Sequence, residues 1–446
     1  MFIRQIKSRK STCFQIGRKE KGKFILLKHI GCANNLNKVE ILRLKAKEEL
    51  EKLLFKNQLS LFCDFKTSLP KAKLLSWHIT GFHQVFGTVY DKIKFPNNIL
   101  RDLVIARIVY PKSKIATIRY LKRYLGISLS KDKVYRFLDS LDKETITKIA
   151  FKFVAQKNKG ISFVFYDVTT LHFEIEAEDE LKKKGFSKNH RHDTPQIVVG
   201  LFVDSEGYPF DFDLFKGSIF EGHTFPIVIK KIISKYAFDS LTIVADASML
   251  SFENLKFLDS LNINYIVGAR LKNLSNEEIK KIQQHNFKKE SILTITSKNQ
   301  RLLVEYSKKR AQKDTNEREK LIKKLKNKLI NKEVVVKKSK YLKWENKGKI
   351  AGIDEKKIEE DKKFDGLKGY ITNINNNLKT DEVIRQYHNL WQVEKAFRMS
   401  KSDLKERPIY HRRLKRIKSH LLICFVSLLV MKETEKILKE KQYSSK

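Results

Sequence analysis

Three carboxylates, Asp167, Asp246 and Glu394, occupy positions where an acidic side chain calls for a chemical reason. Asp167 interrupts a near-continuous apolar strand, Ile161-Ser-Phe-Val-Phe-Tyr-Asp-Val-Thr-Thr-Leu171. Asp246 ends a second one, Leu241-Thr-Ile-Val-Ala-Asp246. An ionised Asp in a buried strand is costly unless something compensates it. Glu394 falls on a helix expected over 381–401. A divalent cation held jointly by the three would offset all of them, and Mg²⁺ (or Mn²⁺ in its place) takes oxygen ligands while keeping several waters. The chain carries 92 Lys and Arg against 51 Asp and Glu, a formal net charge of +41. Such a surplus favours polyanions, because each phosphate neutralised releases a condensed counterion. Acidic metal ligands on a strongly basic chain point to metal-dependent cutting or joining of nucleic acid.

The helix around Glu394 has its own pattern. Tyr387, Trp391, Glu394, Arg398 and Lys401 recur at three- and four-residue steps and so share one face of a continuous helix. Thr380 is the expected cap, with Asp381 and Glu382 at the positive end. A carboxylate between an aromatic ring and two cations can engage a metal and a phosphodiester together. The same spacing also fits an amphipathic packing helix with a solvated Glu394–Arg398 pair. Other polar residues carry less. Glu174 and Glu178 read as a solvated face, and His190 and His192 as loop residues. His411 and His420 read as structural or phosphate-adjacent, while Thr169 and Thr170 steady the strand around Asp167.

Positioning those carboxylates requires a sheet. Strands are expected near 161–170, 196–204, 209–217, 241–246 and 263–268, with helices near 223–236 and 251–260. Three consecutive strands, then helix, strand, helix, strand is the order of a ribonuclease-H-like core, a mixed α/β sheet, placed at 160–270. Residues 271–370 break the pattern with a basic insertion. Its expected helix, 305–330, holds ten Lys and Arg against four Asp and Glu. Residues 371–437 complete the core with the helix bearing Glu394. Upstream, short antiparallel strands are expected at 2–6, 13–17 and 23–30, then a helix at 37–60, making a strand-rich then helical segment over 1–60. Residues 85–158 read as helical. Within them a helix ends at Gly126 and Ser130 caps another, which carries Lys131, Lys133 and Arg136. That spacing fits a helix-turn-helix facing DNA, and equally an ordinary helical hairpin.

At 446 residues there is room for several domains and a large core. A hydrophobic content of 41% against 32% charged describes a folded rather than a disordered chain. The longest apolar run, His420 to Met431, is short of the roughly 20 residues that span a bilayer, which suits a buried core helix and no membrane partner. Cys13, Cys32, Cys63 and Cys424 show neither metal-ligand spacing nor a disulfide framework, and the basic start does not read as a signal peptide, so a cytoplasmic setting is expected.

Tyr387, seven residues to Glu394 and seven more to Lys401, resembles the Tyr–Arg–Glu–Lys signature of one branch of the DDE insertion-sequence transposases. The segments Phe165–Glu174, Gly185–Lys188, Pro195–Leu201, Val244–Leu250 and Arg407–His411 resemble the same group, in the same order. The signature's arginine falls at Leu390, and Ser218 stands where the group has Asn. The resemblance implies catalytic and metal-binding roles for Asp167, Asp246 and Glu394, and phosphate contacts from Tyr387 and Lys401. It also implies two-step chemistry on double-stranded DNA, in which water frees a 3′-OH at the element's end and that 3′-OH attacks target DNA. A homodimer on paired ends, in a bacterial, nucleoid-associated setting, follows from the same likeness. A nuclease of this fold without strand transfer needs the same carboxylates, and a non-catalytic DNA-binding protein needs only the charge.

Overall fold

The computed structural model describes residues 1–8, 11–54, 77–96, 98–174, 177–186, 194–247, 251–287, 291–297, 299–330, 340–344, 350–375 and 378–444. They form two compact units, Met1–Ser76 and Trp77–Lys446.

The first unit is a three-stranded antiparallel sheet of β1 (Phe2–Lys7), β2 (Thr12–Glu20) and β3 (Lys23–Ala33), followed by α1 (Leu36–Leu54). The β2–β3 hairpin turns at Lys21 and Gly22, both with positive φ, the backbone that matches the twist of its strands. Alternation along β2 buries Phe14 and Ile16, and α1 adds Ala46 to that core. The hairpin register sets Cys13 opposite Cys32, and the two form a disulfide. Sequence spacing had signalled no such bond, because a separation of 19 residues becomes a contact only through the register. The end of the helix expected at 37–60, and Cys63, lie outside the described residues.

The second unit begins with five helices, α2 (Gly81–Ile93), α3 (Asn98–Val109), α4 (Lys114–Leu125), α5 (Lys131–Ser140) and α6 (Lys143–Lys157). Gly126 ends α4 in the left-handed conformation, φ 70°, and the Ser130 side chain accepts a hydrogen bond from the Lys133 N–H at the start of α5. Both boundaries are where local sequence chemistry puts them. Then follow β4 (Phe163–His172), β5 (Gln196–Asp204), β6 (Pro209–Lys216), α7 (Glu221–Lys235), β7 (Thr242–Ala245), α8 (Phe252–Ser260) and β8 (Asn264–Ala269). After them come α9 (Asn276–Gln284), β9 (Ile292–Thr296), β10 (Arg301–Tyr306), α10 (Lys308–Ile330), β11 (Leu342–Trp344), β12 (Ile350–Ile353), α11 (Glu355–Lys362) and β13 (Leu367–Thr372). The unit closes with α12 (Thr380–His388), α13 (Trp391–Ser402) and α14 (Leu414–Ser444).

One mixed sheet of eight strands, in the order β6-β5-β4-β7-β8-β13-β10-β9, runs through this unit. Strands β4, β5 and β6 form an antiparallel meander, while β7 and β8 run parallel to β4. The stretch expected as an insertion does not lie apart from the sheet, since β9, β10 and β13 continue it antiparallel from β8. Glu305, expected in the long basic helix, instead belongs to β10. The helices at 81–157 also share one core with the sheet rather than forming a body of their own. Val89, Leu103, Leu138 and Val154 join Val164, Phe202 and Val244 in a single buried cluster. The link is α14, whose apolar stretch packs on α2, α3, α5 and β6. Among the described residues no helix is long and apolar enough to cross a membrane.

Glu433 of α14 ties three separated elements together. It is fully buried, and its carboxylate accepts from Lys92 Nζ at 2.8 Å, Lys157 Nζ at 2.9 Å and the Tyr208 hydroxyl at 2.8 Å. Burial alone would raise its pKa, but these three donors outweigh burial and hold it below its ordinary 4.5. A depressed folded-state pKa gives stability that is complete above the unfolded value and is lost as pH falls through the folded one. Glu433→Gln is therefore expected to lower the melting temperature at neutral pH and to flatten its fall below pH 4.5, as read by thermal denaturation across pH.

Candidate active site

Sheet register brings the two aspartates together. The β4–β7 pairing ends with Tyr166 opposite Ala245, so Asp167, still in β4 and opposite Leu201 of β5, stands level with Asp246, the first residue past β7. Adjacent strands lie about 4.8 Å apart. The β7–β8 pairing likewise ends with Ala245 opposite Val267, which puts Gly268 beside Asp246, and β13 sets Tyr370 opposite Gly268. Residues paired laterally across a sheet face the same side. Asp167, Asp246, Gly268 and Tyr370 thus form one row on one face. Both aspartates are half-buried, and Asp167 Oδ1 accepts a hydrogen bond from the Val168 N–H at 2.8 Å.

Two helices roof this row. α12 packs on β7, β8 and β13, and α13 on β4 and β5. The expected single helix over 381–401 is broken between them. At the break, Leu390 N–H bonds to Tyr387 C=O and Val393 N–H to Leu390 C=O, a tight run of i→i−3 bonds that turns the chain and buries Leu390. Lys379, without a side-chain bond, stands at the start of α12 in place of Thr380, which is the first helical residue.

The break divides the face that the spacing had joined. Tyr387, on α12, is only 7% exposed. Its hydroxyl rests on the sheet at Gly268, where a Cβ would come within 2.4 Å of it and 3.2 Å from the Ala247 nitrogen. Its ring packs edge-on against Tyr370 at 4.7 Å, with the Lys368 ammonium 4.8 Å from its centre. On α13, Trp391, Glu394 and Arg398 stay exposed on one side, with Trp391 48% exposed. Lys401 instead reaches down to the sheet and donates a hydrogen bond to Thr169 Oγ1, two residues beyond Asp167 on the same face.

Three carboxylates act on the Tyr387 phenol from different elements. Burial raises the Tyr387 pKa well above its ordinary value, and the charges of Asp246, Glu394 and Asp167 all push it the same way. Burial and then Arg310 lower the pKa of Lys368, while Glu305 and Glu394 act against them. Even so, among the described residues no group of three or more His, Cys, Asp or Glu is gathered closely enough to hold a metal ion. The expected three-carboxylate clasp is not assembled around one point. Two neighbouring carboxylates on rigid strands still offer an oxygen-only donor set suited to Mg²⁺, which needs few protein ligands because it keeps its waters.

The remaining candidates fall elsewhere. Lys131, Lys133 and Arg136 are exposed on α5. Beside α5, a cleft of about 410 Å³ is lined by Lys131, Tyr135, Tyr410, Arg412, Arg413 and Arg416. His411 is buried, and desolvation with Lys114 and Arg416 nearby holds its pKa down to about 4. His420 is buried too, with Nε2 at 2.9 Å from the Glu406 carbonyl, so both histidines are structural. Glu178 accepts from the Lys184 N–H at 2.8 Å within its own loop. His190 and His192 lie outside the described residues. Sequence reasoning passed over Gly268 and Lys368, whose only signal was a glycine near the end of an apolar strand and a lysine near the start of another.

A family model described as the transposase DDE domain matches residues 158–430, more than half of the chain. The chain belongs to the transposase DDE domain family. The matched residues run from β4 through most of α14 and include the whole aspartate row and both roofing helices. Among solved structures, this DDE-domain chain is similar to the piggyBac transposase in a synaptic complex with hairpin DNA, at 10% identity and a TM-score of 0.39, covering 81% of this chain and 66% of that one, just under two thirds of its length. It is also similar to the Mos1 transposase in a paired-end complex with a left transposon end, at 11% identity and a TM-score of 0.18, covering 53% and 67%. No curated protein matches the chain.

Gly268 gives a direct test of the roof. Gly268→Ala is expected to destabilise the protein by about 1–3 kcal/mol, because the new methyl collides with the Tyr387 hydroxyl over a rigid sheet. Adding Tyr387→Phe removes the colliding oxygen and should recover most of that loss in a denaturant titration. Strictly additive effects would mean that the two residues do not touch.

Proposed function

We propose that the protein is a DDE transposase that cuts the ends of an insertion sequence and joins their 3′-OH ends to target DNA, with Asp167, Asp246 and Glu394 as its catalytic carboxylates. The observation that carries this reading is the aspartate row, in which two half-buried carboxylates stand side by side and the charge of Glu394 meets theirs at Tyr387. Carboxylates placed side by side disfavour joint ionisation unless opposite charge compensates them. A divalent cation removes that penalty, and Asp167 and Asp246 would hold it, with Glu394 completing the set from α13. When bound, Mg²⁺ or Mn²⁺ would supply Lewis-acid stabilisation of the attacking and leaving oxygens in phosphodiester exchange.

The chain's own residues do the rest. Strands β4 and β7 fix the separation of the aspartates. The Lys401–Thr169 bond fixes α13 over β4, and with it the side of α13 that bears Glu394. Exposed Trp391 and Arg398 offer a ring and a cation to DNA beside the site. Farther off, α5 and the arginines at 412, 413 and 416 line a cleft fit for a DNA backbone. The meander followed by two parallel strands supports a ribonuclease-H-like core, and the Tyr387–Glu394–Lys401 spacing supports the Tyr–Arg–Glu–Lys branch. A homodimer on paired ends completes the proposal, and a cytoplasmic, nucleoid-associated setting follows from the family likeness alone, because the Cys13–Cys32 disulfide removes the cysteine argument for it.

The test uses DNA spanning the junctions that flank the coding region. Asp167→Asn, Asp246→Asn and Glu394→Gln should each reduce Mg²⁺-dependent end cleavage by at least about 100-fold, roughly 2.7 kcal/mol of transition-state stabilisation. Double variants should lose little more, because the three act as one unit. Pre-cut ends incubated with plasmid should be joined to it. Cleavage without joining would make the protein a nuclease, and wild-type rates in Asp167→Asn would end the assignment.

A further inference from the structure

We propose that Lys368 and Arg310 form a phosphate-binding pair beside the aspartate row, holding the DNA strand against the carboxylates. This rests on the transposase reading above. Lys368 lies on β13 two residues from Tyr370, so it shares the face that bears Asp167 and Asp246. Its ammonium sits 4.8 Å from the centre of the Tyr387 ring and 5.5 Å from that of Tyr370. Arg310, in the first turn of α10, lines the same cleft of about 420 Å³ that opens at Lys368 and Gly369.

The other cations of that cleft have partners, since Arg318 grips Asp365 with two hydrogen bonds and Lys272 and Lys340 both reach Asp361. Arg310 has only a loose contact with Asp314 at 3.7 Å. Glu305 lies opposite Lys368 across the strands, but it also faces His388 at 3.4 Å. Among the described residues no carboxylate forms an ion pair with Lys368, whose ammonium is held over aromatic rings instead. Glu305 and Glu394 reach Lys368 only through space, so a half-buried lysine beside a second cation still favours a directly bound anion. The proposed metal would neutralise the aspartates and leave these two cations facing any phosphate that enters. A phosphodiester is the fitting anion, because it would lie between a cation at the aspartates and the ammonium of Lys368 without a change in the fold.

The experiment measures full-length protein binding to the junction-spanning duplex and to a random-sequence duplex in Ca²⁺, over a range of KCl concentrations. Lys368→Met keeps the aliphatic stem over Tyr387, and Arg310→Ala is a second variant on the exposed start of α10. Each is expected to weaken both duplexes about tenfold and to reduce the salt slope by about one. Lys368→Arg should restore the slope, and Mn²⁺-induced thermal shifts should match wild type in all three. A merely structural role would lower the melting temperature and leave the slope alone. Wild-type affinity and slope in both Lys368→Met and Arg310→Ala would overturn the proposal. Failure of the wild type to cleave would instead remove the transposase reading, while the binding arm would still decide the phosphate pair.

Discussion

The lateral register of β4 on β7, which sets Asp167 beside Asp246, is the constraint around which the site is organised. Parallel pairing of β4 with β7 forces the two carboxylates to one level on one face. Each follows a buried stretch of strand, Val164–Tyr166 before Asp167 and Thr242–Ala245 before Asp246. A sheet that places like charges together must surround them with groups that tolerate or exploit their field. The roof above them follows that rule: a phenol, a glycine that lets it approach the sheet, a lysine over its ring, and a third carboxylate on an exposed helical turn.

The helix break at Asn389 and Leu390 follows from the same requirement. A straight helix carrying Tyr387 and Glu394 on one face would either bury both or expose both. Breaking it lets α12 press Tyr387 onto Gly268 while α13 crosses to β4 and β5 with Glu394, Trp391 and Arg398 open to a ligand. The bond from Lys401 to Thr169 ties the second helix to the strand that bears Asp167. Rigid strands thus set the two aspartates, and a jointed pair of helices sets everything that acts on them.

Charge on this chain has two distinct uses. Buried carboxylates draw cations to them, as Glu433 draws Lys92 and Lys157, or Asp211 draws Lys143 and Lys235. On α5 and along 412–416, most are left to solvent in a concave surface. Removing one partner of an interior pair leaves a buried charge and is strongly destabilising, whereas an exposed lysine facing solvent is nearly neutral for folding. The surplus of +41 therefore describes what the surface is for rather than what holds the fold together.

Local chemistry alone determined much of this protein. The near-continuous apolar runs set β4 to β8, Gly126 and Ser130 set the ends of α4 and α5, and acidic residues in or ending apolar strands marked Asp167 and Asp246. Each of those signals lies within a few residues of its consequence. Tertiary structure decided what depends on distant partners. It joined Cys13 to Cys32 through a register, broke the helix at Leu390, merged the N-terminal helices with the sheet through α14, and drew β9, β10 and β13 into the sheet. The roles of Gly268 and Lys368 were equally invisible, because neither residue is unusual until Tyr387 is placed against it. Backbone preference acts over one or two turns, whereas burial and charge are settled only when the packed chain supplies the neighbours.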